Sequence, residues 1–370
     1  MIGEGRGSSV WDPRSYEDTD YGLEPGESFE PEDAWDVETG VSTDEPHVMT
    51  LLGPIDPIEL GVCLHHVHLL CDPVALTEVE PDYRLDDEEK AEEEIEAFVT
   101  MNGRSLVDCS TQDYGRNIAG LVSIAGWVPV HLLAVTGRHK DVHASLMANA
   151  VDVEALAEEF VGELRDGIEG HAARAGVIKV GTSLDTITPV ERAAIEAATI
   201  AHAETGAPIT THTEDGTMAL ELLELLGTGG VPADRVIIGH LDRKPMDPAY
   251  VRAIGDTGAF LSFDQIGKSD RFTDADRARV ILDLVEDGYG DQILLSEDYG
   301  RKSLLLAYGG EPGLAYLQEW FMVMLMETGI EALTIRKMVV ENAARALTIH
   351  PPTQAVTRSG DGQGSKEVRG

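Results

Sequence analysis

The run Gly176-Val177-Ile178-Lys179-Val180-Gly181-Thr182-Ser183 reads as a strand buried on both faces, with one lysine in its middle. An ammonium in such a strand is severely desolvated, so Lys179 has to pair with a carboxylate, lose its proton or react. The bland alternative is a lysine whose stem lies in the sheet while its head reaches out at one end. The neighbouring strands decide between these readings.

Seven further β-type runs surround this one: Gly61 to His68, Ser105 to Ser110, Val130 to Gly137, Pro208 to His212, Val236 to His240, Ala259 to Asp264 and Ile293 to Asp298. Helical stretches alternate with them, at Asp87 to Val99, Val153 to Ala173, Pro189 to Glu204, Thr217 to Leu226, Pro248 to Thr257, Asp274 to Asp287 and Gly313 to Thr328. A final helix, Thr334 to Leu347, follows the last strand. Eight βα units in about 300 residues match an α/β fold of the (β/α)8 TIM barrel type in size and rhythm. A doubly wound open sheet would also alternate, but it would carry a Gly-rich phosphate turn after its first strand, and none is present.

Barrels place reactive residues at the C-terminal ends of strands. Here the first strand ends in His66-Val67-His68, where a period of two puts both imidazoles on one face. The fourth carries Lys179, the fifth ends at His212, the sixth at His240 and the eighth at Asp298. A lone strand histidine is ordinarily a packed residue, and His47, His65, His131, His139, His143, His171, His202 and His350 are read that way. Four histidines that all choose strand ends are not explained by packing. Asp298 alone could be a helix cap; its alternation with Glu297 makes it the better ligand of the two.

These donors suit Zn²⁺, Mn²⁺, Co²⁺ or Fe²⁺ and do not choose among them. They are too many for one tetrahedral ion and about the right number for two. Two ions need a bridging anion, and a neutral Lys179 that adds carbon dioxide becomes a carbamate able to serve.

The pattern resembles the phosphotriesterase family of the amidohydrolase superfamily. The matching stretches are Gly61 to His68, Val107-Asp108-Cys109-Ser110, Ala175 to Ser183, Thr205 to Thr213, Gly239-His240-Leu241-Asp242 and Leu294 to Asp298, and the resemblance covers about Val48 to Leu347. It implies two divalent cations, zinc first among the candidates, with His66, His68 and Asp298 on the more buried ion and His212 and His240 on the more exposed one. Carboxylated Lys179 would bridge them. A hydroxide between the ions would be the nucleophile, and Asp298 would take its proton and pass it to the leaving oxygen. The family usually has Glu between the histidines of the first strand, where this chain has Val67.

Two further stretches, Phe260 to Lys268 and Asp298 to Ser303 with Ala307-Tyr308-Gly309-Gly310, look like the branch that opens lactones of phosphorylated sugars, the furanose lactone phosphates. That branch holds the substrate phosphate with a lysine after the seventh strand and an arginine after the eighth, which implies Lys268 and Arg301 here. An Arg fork with a Lys point charge suits a dianion. Leu304 stands where a tyrosine contact is expected in that branch. The leading expectation is a metal-dependent lactonase acting on a phosphorylated sugar lactone. The alternatives are a phosphotriesterase or acyl-homoserine lactonase, and, in another class, a barrel that keeps its metals without turnover. Family members are often dimers, so a homodimer is a further expectation.

Composition sets the limits. The chain has 370 residues, 42% of them hydrophobic, with 67 acidic against 28 basic residues and a net charge of −39. Such a surface repels nucleic acid and anionic membranes. No apolar run approaches the roughly 18 residues that span a bilayer, and the N-terminal residues lead into acidic ones, so a cytoplasmic protein acting on a small molecule is expected. Dense carboxylates also suit a salt-rich cytoplasm, where their repulsion is screened. Cys63, Cys71 and Cys109 lack CxxC spacing and read as small buried residues. Residues 1 to 47, rich in Asp, Glu, Gly, Pro and Ser, read as a disordered acidic extension, residues 48 to 350 as the barrel, and residues 351 to 370 as a flexible tail.

Overall fold

The computed structural model describes residues 40–352. Most of the expected acidic extension and nearly all of the expected tail therefore lie outside the described residues. Where the described chain begins, a short hairpin of β1 (Val48–Thr50) and β2 (Gly53–Ile55) precedes the barrel, an element the sequence reading did not separate. His47 and Ile349 exchange backbone hydrogen bonds, which ties the two ends of the described chain together.

Eight parallel strands follow: β3 (Val62–Val67), β4 (Gly103–Asp108), β5 (His131–Gly137), β6 (Val177–Thr182), β7 (Ile209–Thr213), β8 (Val236–Ile238), β9 (Phe260–Phe263) and β10 (Ile293–Leu295). They hydrogen-bond in chain order. The first and last meet through Ser296, whose hydroxyl donates to the His66 carbonyl (2.9 Å) and accepts from the His66 N–H (3.1 Å), and through the Asp298 N–H, which donates to the same carbonyl (3.0 Å). This is the expected barrel.

The helices are α1 (Val74–Thr77), α2 (Glu88–Thr100), α3 (Ile118–Ala125), α4 (Asp141–Ala144), α5 (Val153–Arg165), α6 (Pro189–Thr205), α7 (Ala219–Thr228), α8 (Pro248–Gly255), α9 (Asp274–Glu286), α10 (Met322–Thr328), α11 (Ala332–Arg336) and α12 (Asn342–Leu347). Their starts follow local chemistry. Thr188 and Glu191 form a capping box before Pro189, and Asp87, Asp152 and Thr273 each accept a first-turn N–H. The sequence reading carried α5 on to Ala173. It stops at Arg165, since the turn beyond needs positive φ at Gly167 and Gly170. The last two long helices each contain a π-turn, at Leu317–Phe321 and Lys337–Glu341.

Alternation along the strands separates two cores. Cys63, Val107, Leu133, Val135, Val177, Ile237 and Leu294 pack together inside the barrel, while Leu64, Val67, Leu132, Ala134, Ile178, Val180 and Ile238 pack outward against the helices. Both clusters are almost solvent-free, as are the three free cysteines. Lys179 shares the parity of Val177, so the barrel points it inward. No helix among the described residues is long and apolar enough to cross a membrane.

Candidate active site

Strand register sets the height of each side chain. Lys179 pairs with Gly137 on one side and Thr210 on the other, two residues below the Gly181–His212 level. That offset is about 6–7 Å along the strands, a drop that a lysine stem can span to reach the level of the imidazoles. Gly137 is required beside it: with φ near +110°, a Cβ there would lie 1.9 Å from the Lys179 carbonyl oxygen.

His66 and His68 reach the same space by a less regular route. Leu64 and Val67 both face outward although they are three positions apart, and the β3–β4 register shifts between them. This irregularity turns His66 and His68 inward above an inward Cys63. His240 needs another device. Val236 and Ile238 face outward, so even alternation would send His240 out; instead it lies just past β8 with φ 62°. Asp298, past β10, has φ 45° and keeps the inward parity of Leu294. Glu297 faces the other way, as expected, and accepts the Leu317 N–H at 2.7 Å.

The six expected ligands converge. His66 Nε2 and His68 Nε2 lie 3.6 and 3.5 Å from Asp298 Oδ1, and Lys179 Nζ lies 3.0 Å from His66 Nε2. His212 Nδ1 and His240 Nε2 face each other at 2.7 Å. The His66 and His240 rings, 5.0 Å apart, join the two groups. His66, His68 and Asp298 form a set whose donor atoms could hold one metal ion. The other such set, His66, His240 and Asp264, uses the outward side of His240, whose Nδ1 is already bonded to Asp264.

The outward nitrogens of three of the four histidines are secured, His66 Nδ1 having no hydrogen-bond partner among the described residues. His68 Nδ1 meets Ser110 Oγ at 2.7 Å, His240 Nδ1 meets Asp264 Oδ1 at 2.7 Å, and His212 Nε2 meets Glu214 Oε2 at 3.0 Å. Such partners fix the tautomer and turn the remaining lone pair inward, the arrangement of metal-binding histidines. Burial, with the nearby Lys179 charge, holds the His66 imidazole well below its ordinary pKa; burial and His240 do the same to His212. Both are therefore neutral at pH 7, the ligand form. Burial raises the Asp298 carboxyl, but Lys268 and then His68 more than offset this and hold it well below the usual range. Lys179 is fully buried, and no ion pair involves it among the described residues. A buried ammonium without a carboxylate is costly. The residues present thus fit a pair of divalent cations better than they fit one another.

A cavity of about 920 Å³ opens above them, lined by His66, His68, His212 and Asp298 together with Lys268 and Arg301. Lys268 donates to Asp298 Oδ2 at 2.9 Å, to its carbonyl and to Gln265 Oε1 at 3.2 Å. Arg301 stacks on Tyr83 at 4.0 Å, bonds the tyrosine hydroxyl and pairs with Glu80 at 3.0 Å. Both expected phosphate-binding cations therefore line the cavity with partners of their own.

Sequence reasoning missed several neighbours. The sequence gives Asp264 no role of its own, yet its carboxylate accepts from His240 and Ser262. Gln265 donates to Asp298 Oδ2 at 2.8 Å. His139 and His143, read as packing residues, line the cavity with Tyr114. His65 keeps the bland role, bonded to Ser262 Oγ at 2.8 Å. No local signal separates His143 from His65; only the fold does.

Comparison with known proteins finds relatives over most of the described chain. The model of the phosphotriesterase family matches residues 46–347. The phosphotriesterase homology protein of Escherichia coli (strain K12) is 34% identical over 286 residues, 77% of this chain and 97% of its own. The phospho-furanose lactonase of Mycoplasmopsis synoviae (strain 53) is 31% identical over 321 residues, 80% of this chain and 90% of its own. Among solved structures, the lactonase Lmo2620 from Listeria monocytogenes superimposes with a TM-score of 0.78 at 33% identity, covering 82% of this chain and 99% of that one.

Proposed function

The chain belongs to the phosphotriesterase family of hydrolytic enzymes, and from that premise we propose that it opens the lactone ring of a phosphorylated sugar lactone at a binuclear metal site. The observation that carries the substrate class is the charge of the cavity. Lys140, Arg243, Lys268, Arg271, Arg277 and Arg301 line it against three acidic residues, Glu214, Asp270 and Asp298, in a chain where acidic residues outnumber basic ones 67 to 28. An enzyme that is acidic overall and carries more basic than acidic residues at its mouth suits an anion. The phospho-furanose lactonase relative supports the same reading.

His66, His68 and Asp298 would hold the inner cation and His212 and His240 the outer one. Lys179, having added carbon dioxide and lost a proton, would present a carbamate to both. Bound there, the two cations would lower the pKa of a water and polarise the lactone carbonyl. Asp298 is the proton carrier. Its Oδ1, toward His66 and His68, would serve the inner cation, and its Oδ2, held by Gln265 and Lys268, would exchange one of those bonds for the water's proton and return that proton to the ring oxygen as the acyl C–O bond breaks. Lys268, whose three N–H donors go to Asp298 Oδ2, the Asp298 carbonyl and Gln265 Oε1, would turn one of them to a phosphate beside Asp298, and Arg301 offers its fork from the rim.

A second reading, an acyl lactone, is favoured by the apolar part of the wall, Leu76, Val142, Leu184 and Leu304. Lactone opening followed with a pH indicator separates the two. On protein supplied with zinc or manganese and bicarbonate, furanose lactones bearing a terminal phosphate should turn over and their unphosphorylated counterparts should not. Preference for acyl lactones would overturn the substrate and keep the site.

A further inference from the structure

His143 stands on α4, in the loop after β5, and is 1% exposed. Neither of its ring nitrogens has a hydrogen-bond partner among the described residues. The side chain lines the cavity. Its surroundings are rings: Tyr114 at 4.9 Å and His139 at 4.8 Å between centroids. Those two continue the wall to the metal-site histidines, Tyr114 lying 4.8 Å from His68 and His139 4.5 Å from His212. The trio is therefore one ring wall of the cavity that runs from His68 on one side of the site to His212 on the other.

A buried imidazole with both nitrogens unmatched carries a desolvation penalty that nothing in the protein returns. His65, equally buried, shows the contrast, since its Nε2 is bonded to Ser262. Burial, with Lys140 next, pushes His143 down to about 4, so at neutral pH the ring offers one N–H donor and one acceptor nitrogen. A hydroxyl is both donor and acceptor, so an imidazole of this kind is matched by the paired hydroxyls of a sugar ring and by no purely apolar group. Tyr114 meets the ring at a tilt of 59° and His139 at 73°, and neither offers its nitrogens a hydrogen bond, so the unmatched atoms stand in the wall of the cavity.

We propose that His143 is a substrate-binding residue that reads the ring hydroxyls of the lactone and so selects polyhydroxylated over deoxy or alkyl lactones. This rests on the lactonase reading above. Selection follows from the unmatched atoms: a substrate without the hydroxyls leaves them unmatched at the reaction step, and one with them does not.

Four lactones test it, a furanose lactone with and without its terminal phosphate, each also in a form lacking the ring hydroxyls, assayed on wild type, His143→Phe and His143→Gln. His143→Phe keeps the aromatic packing and removes both polar atoms; His143→Gln keeps a donor and an acceptor. Wild type should prefer each hydroxylated member of a pair. His143→Phe should lower kcat/KM for the hydroxylated members by about tenfold, the worth of one to two hydrogen bonds, mainly through KM, and leave the deoxy members within twofold. His143→Gln should recover part of the loss. Metal content of the purified variants reports whether the site has stayed intact. An equal loss on hydroxylated and deoxy lactones, or no loss on either, overturns the role of His143. The phosphate comparison bears separately on the substrate class, and failure of wild type to open any of the four overturns both.

Discussion

Asp264→Asn separates the scaffolding of the site from its ligands. The Asp264 carboxylate is fully buried. Its Oδ1 accepts from the His240 ring at 2.7 Å and from Gln265 Nε2 at 2.9 Å; its Oδ2 accepts from Ser262 Oγ at 2.6 Å and from the His240 N–H at 3.1 Å. An amide has one oxygen, so either orientation turns an NH₂ toward two donors. At least one bond to a charged acceptor is lost, about 1.5–3 kcal/mol. That range agrees with the roughly 10–100-fold, or about 1.4–2.7 kcal/mol, typical of removing the partner that orients a ligating histidine. The expected result is therefore a 10–100-fold weaker outer metal, with the inner one weakened less because His66 Nδ1 lies 3.6 Å from the same carboxylate. Zinc titration against a competing chelator reads both affinities. Burial raises Asp264, but the His240 imidazole more than offsets this and holds it well below the carboxylate range; its contribution is present above the unfolded pKa and lost only as pH falls through the lower folded value. The difference between variant and wild type should accordingly stay constant from pH 5 to 9. Two unchanged affinities in Asp264→Asn, alongside loss of the outer metal in His240→Asn, would refute the reasoning.

Lys179→Ala should lose bound metal and lower lactone opening by about 10²–10³-fold, the scale of one preorganised charge, and a short free carboxylate should restore part of both; full metal binding without the lysine would remove the carbamate. Lys268→Ala with Arg301→Ala removes two charge-assisted contacts of about 1.5–3 kcal/mol each, so kcat/KM should fall by about 10²–10⁴ for phosphorylated lactones alone, and an equal fall for unphosphorylated ones would assign the pair to Asp298 rather than to phosphate. In metal-free protein, burial pushes His65 and His143 down to about 4. Their folded values lie below the unfolded 6.5, the unfolded chain binds more protons between these limits, and stability should fall by about 1.4 kcal/mol per histidine per pH unit as pH drops from 6.5 to 4. Urea unfolding at pH 7 and pH 5 measures this, and the slope should be shallower in His143→Phe. With a net charge of −39, the melting temperature should rise in molar potassium chloride as repulsion is screened; no rise would remove the idea of adaptation to a salt-rich cytoplasm.

How far the site was legible differs from strand to strand, for reasons of backbone geometry. Lys179 and Asp298 follow period-two alternation from an inward apolar residue, and His212 stands at odd spacing from the outward Ile209, so their face could be read from spacing alone. His66 and His68 share a face as their spacing says, but that it is the inner face depends on the irregularity between Leu64 and Val67. His240 has the outward parity of Ile238, and alternation alone would have discarded it. It entered the expected set because it stood at a strand end and matched a motif, not because its direction was known. Asp264, Glu214 and Ser110 were beyond reach for another reason: each is defined by which imidazole nitrogen it meets, Asp264 and Ser110 from the adjacent strand and Glu214 from the turn just past its own, residues 24, 42 and 2 positions from their histidines.

The left-handed backbone at His240 and Asp298 explains why barrel closure and site assembly are one event. A non-glycine residue held there costs on the order of 1–3 kcal/mol and keeps that conformation only if its surroundings over-determine it. At both positions the surroundings are the neighbouring strand. The His240 N–H donates to Asp264 Oδ2 just past β9, and the Asp298 N–H donates to the His66 carbonyl of β3. The same His66 carbonyl receives Ser296, which joins the last strand to the first. The barrel thus turns Asp298 inward with a bond made where it closes and His240 inward with a bond to the adjacent strand's Asp264, and the strain is met by the fold rather than by the ligand. A metal arriving at the mouth finds His240 and Asp298 already turned toward it, so removing metal should leave the strand amides protected from hydrogen exchange while freeing the loops that follow. Exchange at Asp298 as fast as in those loops, on metal-free protein, would show that the ion and not the barrel closure holds it.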